Sequence, residues 1–131
     1  MPTEEVIRAQ FAPWSTDNPL PFFAALPENI SFTVCGTLNP LRGHYTTRDQ
    51  VTETFGKLVS RFVEMPTGKV TNVIASSEYG VVEMVNEGVS KGGFHFVQSM
   101  CWVCRYVGDE CVEIRIYVDS AAEKHIFEED V

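Results

Sequence analysis

The sequence predicts an α+β domain in which a curved antiparallel sheet wraps around one long helix. Three observations lead there. The last third reads as two long strands: Phe96, Val97, Met100, Trp102, Val103, Tyr106 and Val107 form a run rich in aromatic and β-branched residues, and Cys111 to Val118 alternates strictly. In that second run Val112, Ile114, Ile116 and Val118 share one face, while Glu113, Arg115, Tyr117 and Asp119 share the other. Next, Val51, Phe55, Leu58, Val59, Phe62 and Val63 recur at helical spacing and form one broad apolar stripe that needs a flat apolar partner. Finally, the element order is helix, helix, strand, helix, a run of consecutive strands and a closing helix, which puts helices on one side of a sheet.

Each element has its own signals. Thr3-Glu4-Glu5 opens a helix that breaks at Pro13, and Asn18-Pro19 starts a second, short one carrying Leu20, Phe22, Phe23 and Leu26 to a stop near Pro27. Ile30 to Cys35 alternates as a strand, and Gly36 to Tyr45 reads as a loop around Asn39-Pro40 and Gly43. Thr47-Arg48-Asp49-Gln50 has capping-box spacing, so the main helix begins there and runs to about Val63, before Pro66. Val70 to Ser76 and Val81 to Glu87 pair through a turn near Ser77 to Gly80, and Lys91-Gly92-Gly93 turns the chain into the long strands. Val107-Gly108-Asp109-Glu110 supplies their hairpin turn. Ser120-Ala121-Ala122-Glu123 again has capping-box spacing, with Asp119 placed to share the cap.

Composition narrows the class. At 131 residues, 44% hydrophobic and 11% aromatic, the chain suits a single globular domain, 1–131, with a real core. No apolar run nears the roughly 20 residues of a membrane span, and Met1-Pro2-Thr3-Glu4-Glu5 has neither the basic region nor the apolar core of a signal peptide. A soluble cytoplasmic protein is therefore expected. A net charge of −8, with Lys and Arg scattered, argues against nucleic acid as a partner. The four cysteines are expected as free thiols. Cys101-Trp102-Val103-Cys104 is formally a CxxC, but mid-strand its sulfurs project from opposite faces, and no further Cys or His pair completes a metal site; neither metal nor redox cofactor is expected.

Several segments carry a family likeness: Pro21 to Val34, Leu41 to Asp49, Tyr79 to Glu83, Cys101 to Tyr106 and Val112 to Asp119. On these the chain resembles SnoaL-like members of the nuclear transport factor 2 (NTF2)/ketosteroid isomerase superfamily, whose cone-shaped, cystatin-like fold hosts cyclases, isomerases, dehydratases, epoxide hydrolases and non-catalytic binders. The resemblance implies a pocket side made of Gln98, Met100, Trp102, Ile114, Ile116 and Val118, with Phe32 and Val34 opposite and Phe96 near the mouth. It implies an outer face of Val97, Val103, Arg105, Glu113, Arg115 and Tyr117 that similar proteins often use to form a homodimer. The residues limonene-epoxide-hydrolase-like enzymes need fall on Phe32, Val34 and Ile116, and those of ketosteroid-isomerase-like enzymes near Thr33 and at Trp102, so neither chemistry is implied.

The polar handles left for an apolar cone are Gln98 and Asn86 on strands, His44 and Tyr45 at the mouth, and Glu83 if its strand turns it inward; Trp14 and Trp102 read as wall and core. Either Val81, Glu83 and Val85 or Val82, Met84 and Asn86 face in. A Glu in such a cone has its charged form disfavoured, which suits proton transfer, while the alternative for a strand Glu is an outer-face ion pair. Gln98 is placed to orient a carbonyl, and His44 and His95 are further loop candidates, His95 beside a glycine pair that leaves its direction open. Two functions follow. One is a cofactor-independent enzyme of small-molecule or secondary metabolism (a cyclase, isomerase or lyase, polyketide-cyclase-like) that moves protons on an apolar carbonyl-bearing substrate through Glu83, Gln98 and His44. The other is a non-catalytic module of the same fold that binds a small ligand or only dimerises.

Overall fold

A computed structural model describes residues 2–130. Its centre is a curved six-stranded sheet, open at both edges, with strand order β2-β1-β6-β5-β4-β3. The strands are β1 (Asn29–Val34), β2 (Gly43–Thr47), β3 (Thr67–Ser76), β4 (Tyr79–Val89), β5 (His95–Val107) and β6 (Glu110–Val118). The helices are α1 (Glu4–Phe11), continued by a 3-10 turn at Ala12–Ser15, α2 (Leu20–Ala24), α3 (Arg48–Val59) and α4 (Ser120–Phe127). The α+β class is as the sequence predicts. The sheet is mixed rather than wholly antiparallel, because β1 pairs in parallel with β6 while every other neighbour is antiparallel.

Local chemistry explains the ends of the elements. Thr3 caps α1 by accepting from Val6 N at 3.1 Å, and Thr47 caps α3 by accepting from Gln50 N at 3.2 Å. The Gln50 side chain reaches back one residue further than a capping box requires, to Thr46 N at 2.8 Å. Two boundaries differ from expectation. The segment read as loop contains β2, a short edge strand whose side chains are mostly solvated and therefore carry no apolar alternation to detect. The helix expected to reach Val63 ends at Val59, because Phe62 bridges to Ser90 and Val63 N bonds Val89 O at 3.0 Å, drawing the chain into the sheet. Phe62 stays buried; Val63 is 65% exposed.

The inner face of the sheet carries Ile30, Phe32 and Val34 from β1, Val82, Met84 and Asn86 from β4, the series Phe96 to Tyr106 from β5, and Ile114 and Ile116 from β6. Gly80 lets α1 approach β4 closely, since a Cβ there would lie 2.6 Å from Ile7 Cδ1. Gly108, at φ +61°, makes the tight turn between β5 and β6.

The cone is not hollow at its centre. Trp102 is fully buried, and the rings of Phe11, Phe22, Trp14, Phe32 and Phe55 lie at centroid distances of 5.3, 5.4, 5.7, 6.1 and 6.4 Å from it. The greasy space expected to receive a ligand is thus filled by the chain's own aromatic side chains, contributed by α1, the following turn, α2, α3 and two strands. Trp102→Ala should cost about 3–5 kcal/mol of stability, read as a lower urea midpoint at unchanged slope.

Candidate functional site

Strand parity decides where each candidate lies. On β4 the even-numbered set faces in, so Asn86 is buried opposite Gln98, and Glu83 is exposed on the outer face, where its Oε1 accepts from Asn72 Nδ2 at 3.0 Å. Glu83 therefore has no place in the interior. His44 is also exposed: it pairs across the β1–β2 ladder with Thr33, its Nδ1 lying 2.9 Å from Thr33 Oγ1 on the face away from Phe32 and Val34. His95 is exposed as well, 3.0 Å from Glu87 Oε1. Tyr45 is half-buried and donates its hydroxyl to Leu41 O at 2.6 Å, which ties β2 to its own loop. Of the three residues read as catalytic, the structure brings only Gln98 inside. The expected wall residues Trp14, Phe32, Val34, Phe96, Met100, Trp102, Ile114 and Ile116 are buried, with Val118 half-buried, but they pack on one another rather than around a space.

Gln98 has company that the sequence reading did not assign. Its Nε2 donates to Asp119 O at 3.1 Å, and beside it stand the Glu123 carboxyl on α4 and the Asn39 amide on the β1–β2 loop. Gln98 and Asn39 are fully buried and Glu123 is 2% exposed. Asn39 uses its Oδ1 to accept from Leu41 N at 2.8 Å. Yet Gln98 Oε1, Glu123 Oε2 and Asn39 Nδ2 have no hydrogen-bond partner among the described residues, and neither do Asn86 Oδ1, Trp14 Nε1 or Trp102 Nε1. Buried polar groups left unpaired cost about 1–3 kcal/mol each, and the two amides lie close enough to the Glu123 carboxyl to favour its ionised form.

Glu123 was hidden by its own motif. The expected capping box makes it a reciprocal cap for Ser120, but the N-cap is Asp119, whose Oδ1 accepts from Ala121 N at 3.1 Å. That shift of one residue moves Glu123 out of capping range and onto the buried face with Ala122 and Ile126. The one detectable signal was this adjacency, an acid beside an apolar i, i+4 pair.

Burial pushes the Glu123 carboxyl up from 4.5 to about 7; the neighbouring Gln98 and Asn39 amides pull the other way, and the Asp119 charge adds a little to the rise. The end of the cone that holds this group is closed by α4. Glu129 Oε2 accepts from Ser90 Oγ at 2.6 Å, Arg61 Nη1 donates to Glu129 O at 3.1 Å, and the His125 ring lies 4.0 Å from that of Phe94. Concavities of about 580, 370, 490 and 220 Å³ mark the surface of the described residues, and none of these is lined by Gln98, Glu123, Asn39 or Trp102. Among the described residues no group of three His, Cys, Asp or Glu side chains is arranged to hold a metal ion, and no helix is long and apolar enough to cross a membrane.

This architecture is the NTF2-like, ketosteroid-isomerase-like fold. A protein of unknown function with cystatin-like fold from Xanthomonas campestris superimposes over 98% of this chain and all of its own, with a TM-score of 0.80 and 14% identity. TerC, co-crystallised with polyporic acid, matches 95% of this chain and 97% of its own at a TM-score of 0.77 and 12% identity. A hypothetical protein with a ketosteroid isomerase-like fold from Catenulispora acidiphila, in complex with trimethylamine, matches 88% of this chain and 86% of its own at a TM-score of 0.70 and 20% identity. No protein-family model matches the chain, and no curated protein does.

A carboxyl whose folded-state value is raised favours folding while it is protonated. That contribution is fully present below pH 4.5 and is lost as pH rises to about 7, an effect on the order of 3 kcal/mol. Urea unfolding from pH 4.5 to 8 should therefore show a fall in stability that Glu123→Gln removes, leaving the variant more stable than wild type at pH 8.

Proposed function

We propose that this chain is a cofactor-independent small-molecule enzyme that transfers protons on a compact, carbonyl-bearing ligand, with Glu123 as the acid–base group. The observation that carries this reading is the cluster of unpaired buried polar atoms around Glu123. A protonated carboxyl donates to a carbonyl oxygen, and the ionised form takes a proton from the adjacent carbon; a group that changes state near neutral pH does both. Gln98 Oε1 accepts from a hydroxyl and Asn39 Nδ2 donates to an oxyanion, so the three residues offer the hydrogen bonds that an enol and its ketone exchange. Support also comes from similar folds found with small ligands, trimethylamine in one and polyporic acid in another. The aromatic packing around Trp102 limits the ligand to a compact one, smaller than a polycycle. Isomerase or lyase chemistry, in the manner of a SnoaL-like cyclase, is the reaction type this arrangement serves.

The packed cone also favours a second reading, a non-catalytic module that associates through its outer sheet face. That face presents Val97 and Tyr117, exposed at 47% and 49%, beside Val103 and the pairing of Arg105 and Arg115 with Glu113 at 3.4 and 3.6 Å. A homodimer through this surface is compatible with either function. Sedimentation should show a dimer that Val97→Glu converts to monomer.

The enzymatic reading is tested by proton–deuterium exchange at the α-carbon of cyclohexanone in D2O, followed by NMR. Wild type should accelerate exchange and Glu123→Gln should lower the rate 10²-fold or more. Glu83→Ala and His44→Ala should stay within about twofold, since both side chains face solvent outside the cone. Exchange that never exceeds buffer for wild type leaves the binding module as the function.

A further inference from the structure

We propose that Cys111 is a covalent acceptor site for small, uncharged Michael acceptors, at the opposite end of β6 from Glu123. The CxxC pair divides as strand parity requires: Cys101 lies toward the outer face, and Cys104 is fully buried on the inner one. Cys104 meets a different thiol. The β5–β6 ladder sets Tyr106 opposite Cys111 and Cys104 opposite Ile114, so Cys104 and Cys111 are diagonal neighbours on the inner face. Around them the Tyr106 hydroxyl donates to Gln10 Oε1, the Cys111 thiol donates to Glu113 O at 3.8 Å, and the Gln10 and Cys104 side chains neighbour the Cys111 sulfur. Hydrogen bonding from Cys104 is the largest influence on Cys111 and lowers its pKa, with Gln10 and Tyr106 acting in the same sense against the cost of burial. Cys104 is pushed the other way, well above its ordinary value, by that same bond and by burial.

What separates Cys111 from an inert core thiol is access. It is 6% exposed and lines a cavity of about 220 Å³ whose walls are Val6, Phe22, Ala25 and Leu26, with Asp109 and Glu110 at the same cavity. Cys104, fully buried, does not line that cavity. The apolar wall accepts a small apolar electrophile, and the two acids disfavour an anionic one. In the reaction the Cys111 sulfur forms a bond to the β-carbon of an enone or maleimide, and the C=C π pair moves toward the carbonyl as an enolate. The enolate then takes a proton from water, replacing the one the thiol released. The net change is addition of S–H across the double bond, with no leaving group and no oxidant.

The test is N-ethylmaleimide labelling of the folded protein at pH 7.5, with the rate at each cysteine read by peptide mass spectrometry. Cys111 should label at least tenfold faster than Cys104. Cys104→Ala and Gln10→Ala should each slow it at least fivefold, and Cys104→Ser, which keeps a donor, should restore the rate. The carboxylate analogue 3-maleimidopropionate should react at least fivefold more slowly than N-ethylmaleimide. A variant that had merely loosened would label faster, so the sign of the change separates loss of activation from loss of fold. Labelling of Cys111 no faster than of Cys104, or rates unchanged in both Cys104→Ala and Gln10→Ala, overturns the proposal.

Discussion

The burial of Trp102 among five other aromatic rings is the constraint on which the rest of the molecule depends. The indole sits mid-strand on β5, flanked in register by Val82 on β4 and Ile116 on β6, and takes ring contacts from both N-terminal helices and α3. Edge-to-face and tilted pairs of this kind add roughly 0.5–1.5 kcal/mol each beyond the area they bury. They also fix positions: the helices cannot shift along the sheet without breaking several such contacts together. By filling the cone here, the cluster pushes the polar groups to one end and the thiols to the other.

The two ends are built differently because different elements close them. At one end α4 folds back after Asp119 and brings a carboxyl down onto Gln98 and Asn39, where burial holds it near neutrality. At the other, the Gly108 turn and α1 leave Cys111 on the wall of a small cavity, with Cys104 behind it. Glu123 on α4 and Cys111 on β6 thereby lie at opposite ends of that strand. Solvent is kept from the first by a helix anchored through Glu129 and admitted to the second.

Much of the fold was legible in the sequence, and for local reasons. The alternation of β6, the apolar stripe of α3, the Thr3 and Thr47 caps and the Gly108 turn each express their geometry within a few residues. β2 was not, because an exposed edge strand needs no apolar period. The end of α3 was not, because its apolar stripe continues past Val59 while hydrogen bonds from Val63 to Val89 and a bridge from Phe62 to Ser90 take the chain elsewhere. The site was the least legible part: Glu83 and Glu123 are both acids in ordered segments, and the apolar pair beside Glu123 is the one local sign of which is buried.

By itself, then, the sequence determined the α+β class and the layering of helices on one face of the sheet, since these follow from period and capping; the inward faces of β5 and β6 were implied by the family resemblance, and a bulge turns Cys111 inward against the strict alternation expected of β6. Tertiary structure decided three matters: the parallel pairing of β1 with β6, the closure of the cone by its own aromatic rings, and the choice of Glu123 over Glu83 as the interior acid. Each depends on which distant segments meet. A strand's parity relative to the core, and the one-residue difference between an Asp119 and a Ser120 cap, are settled only when the whole sheet has chosen its register.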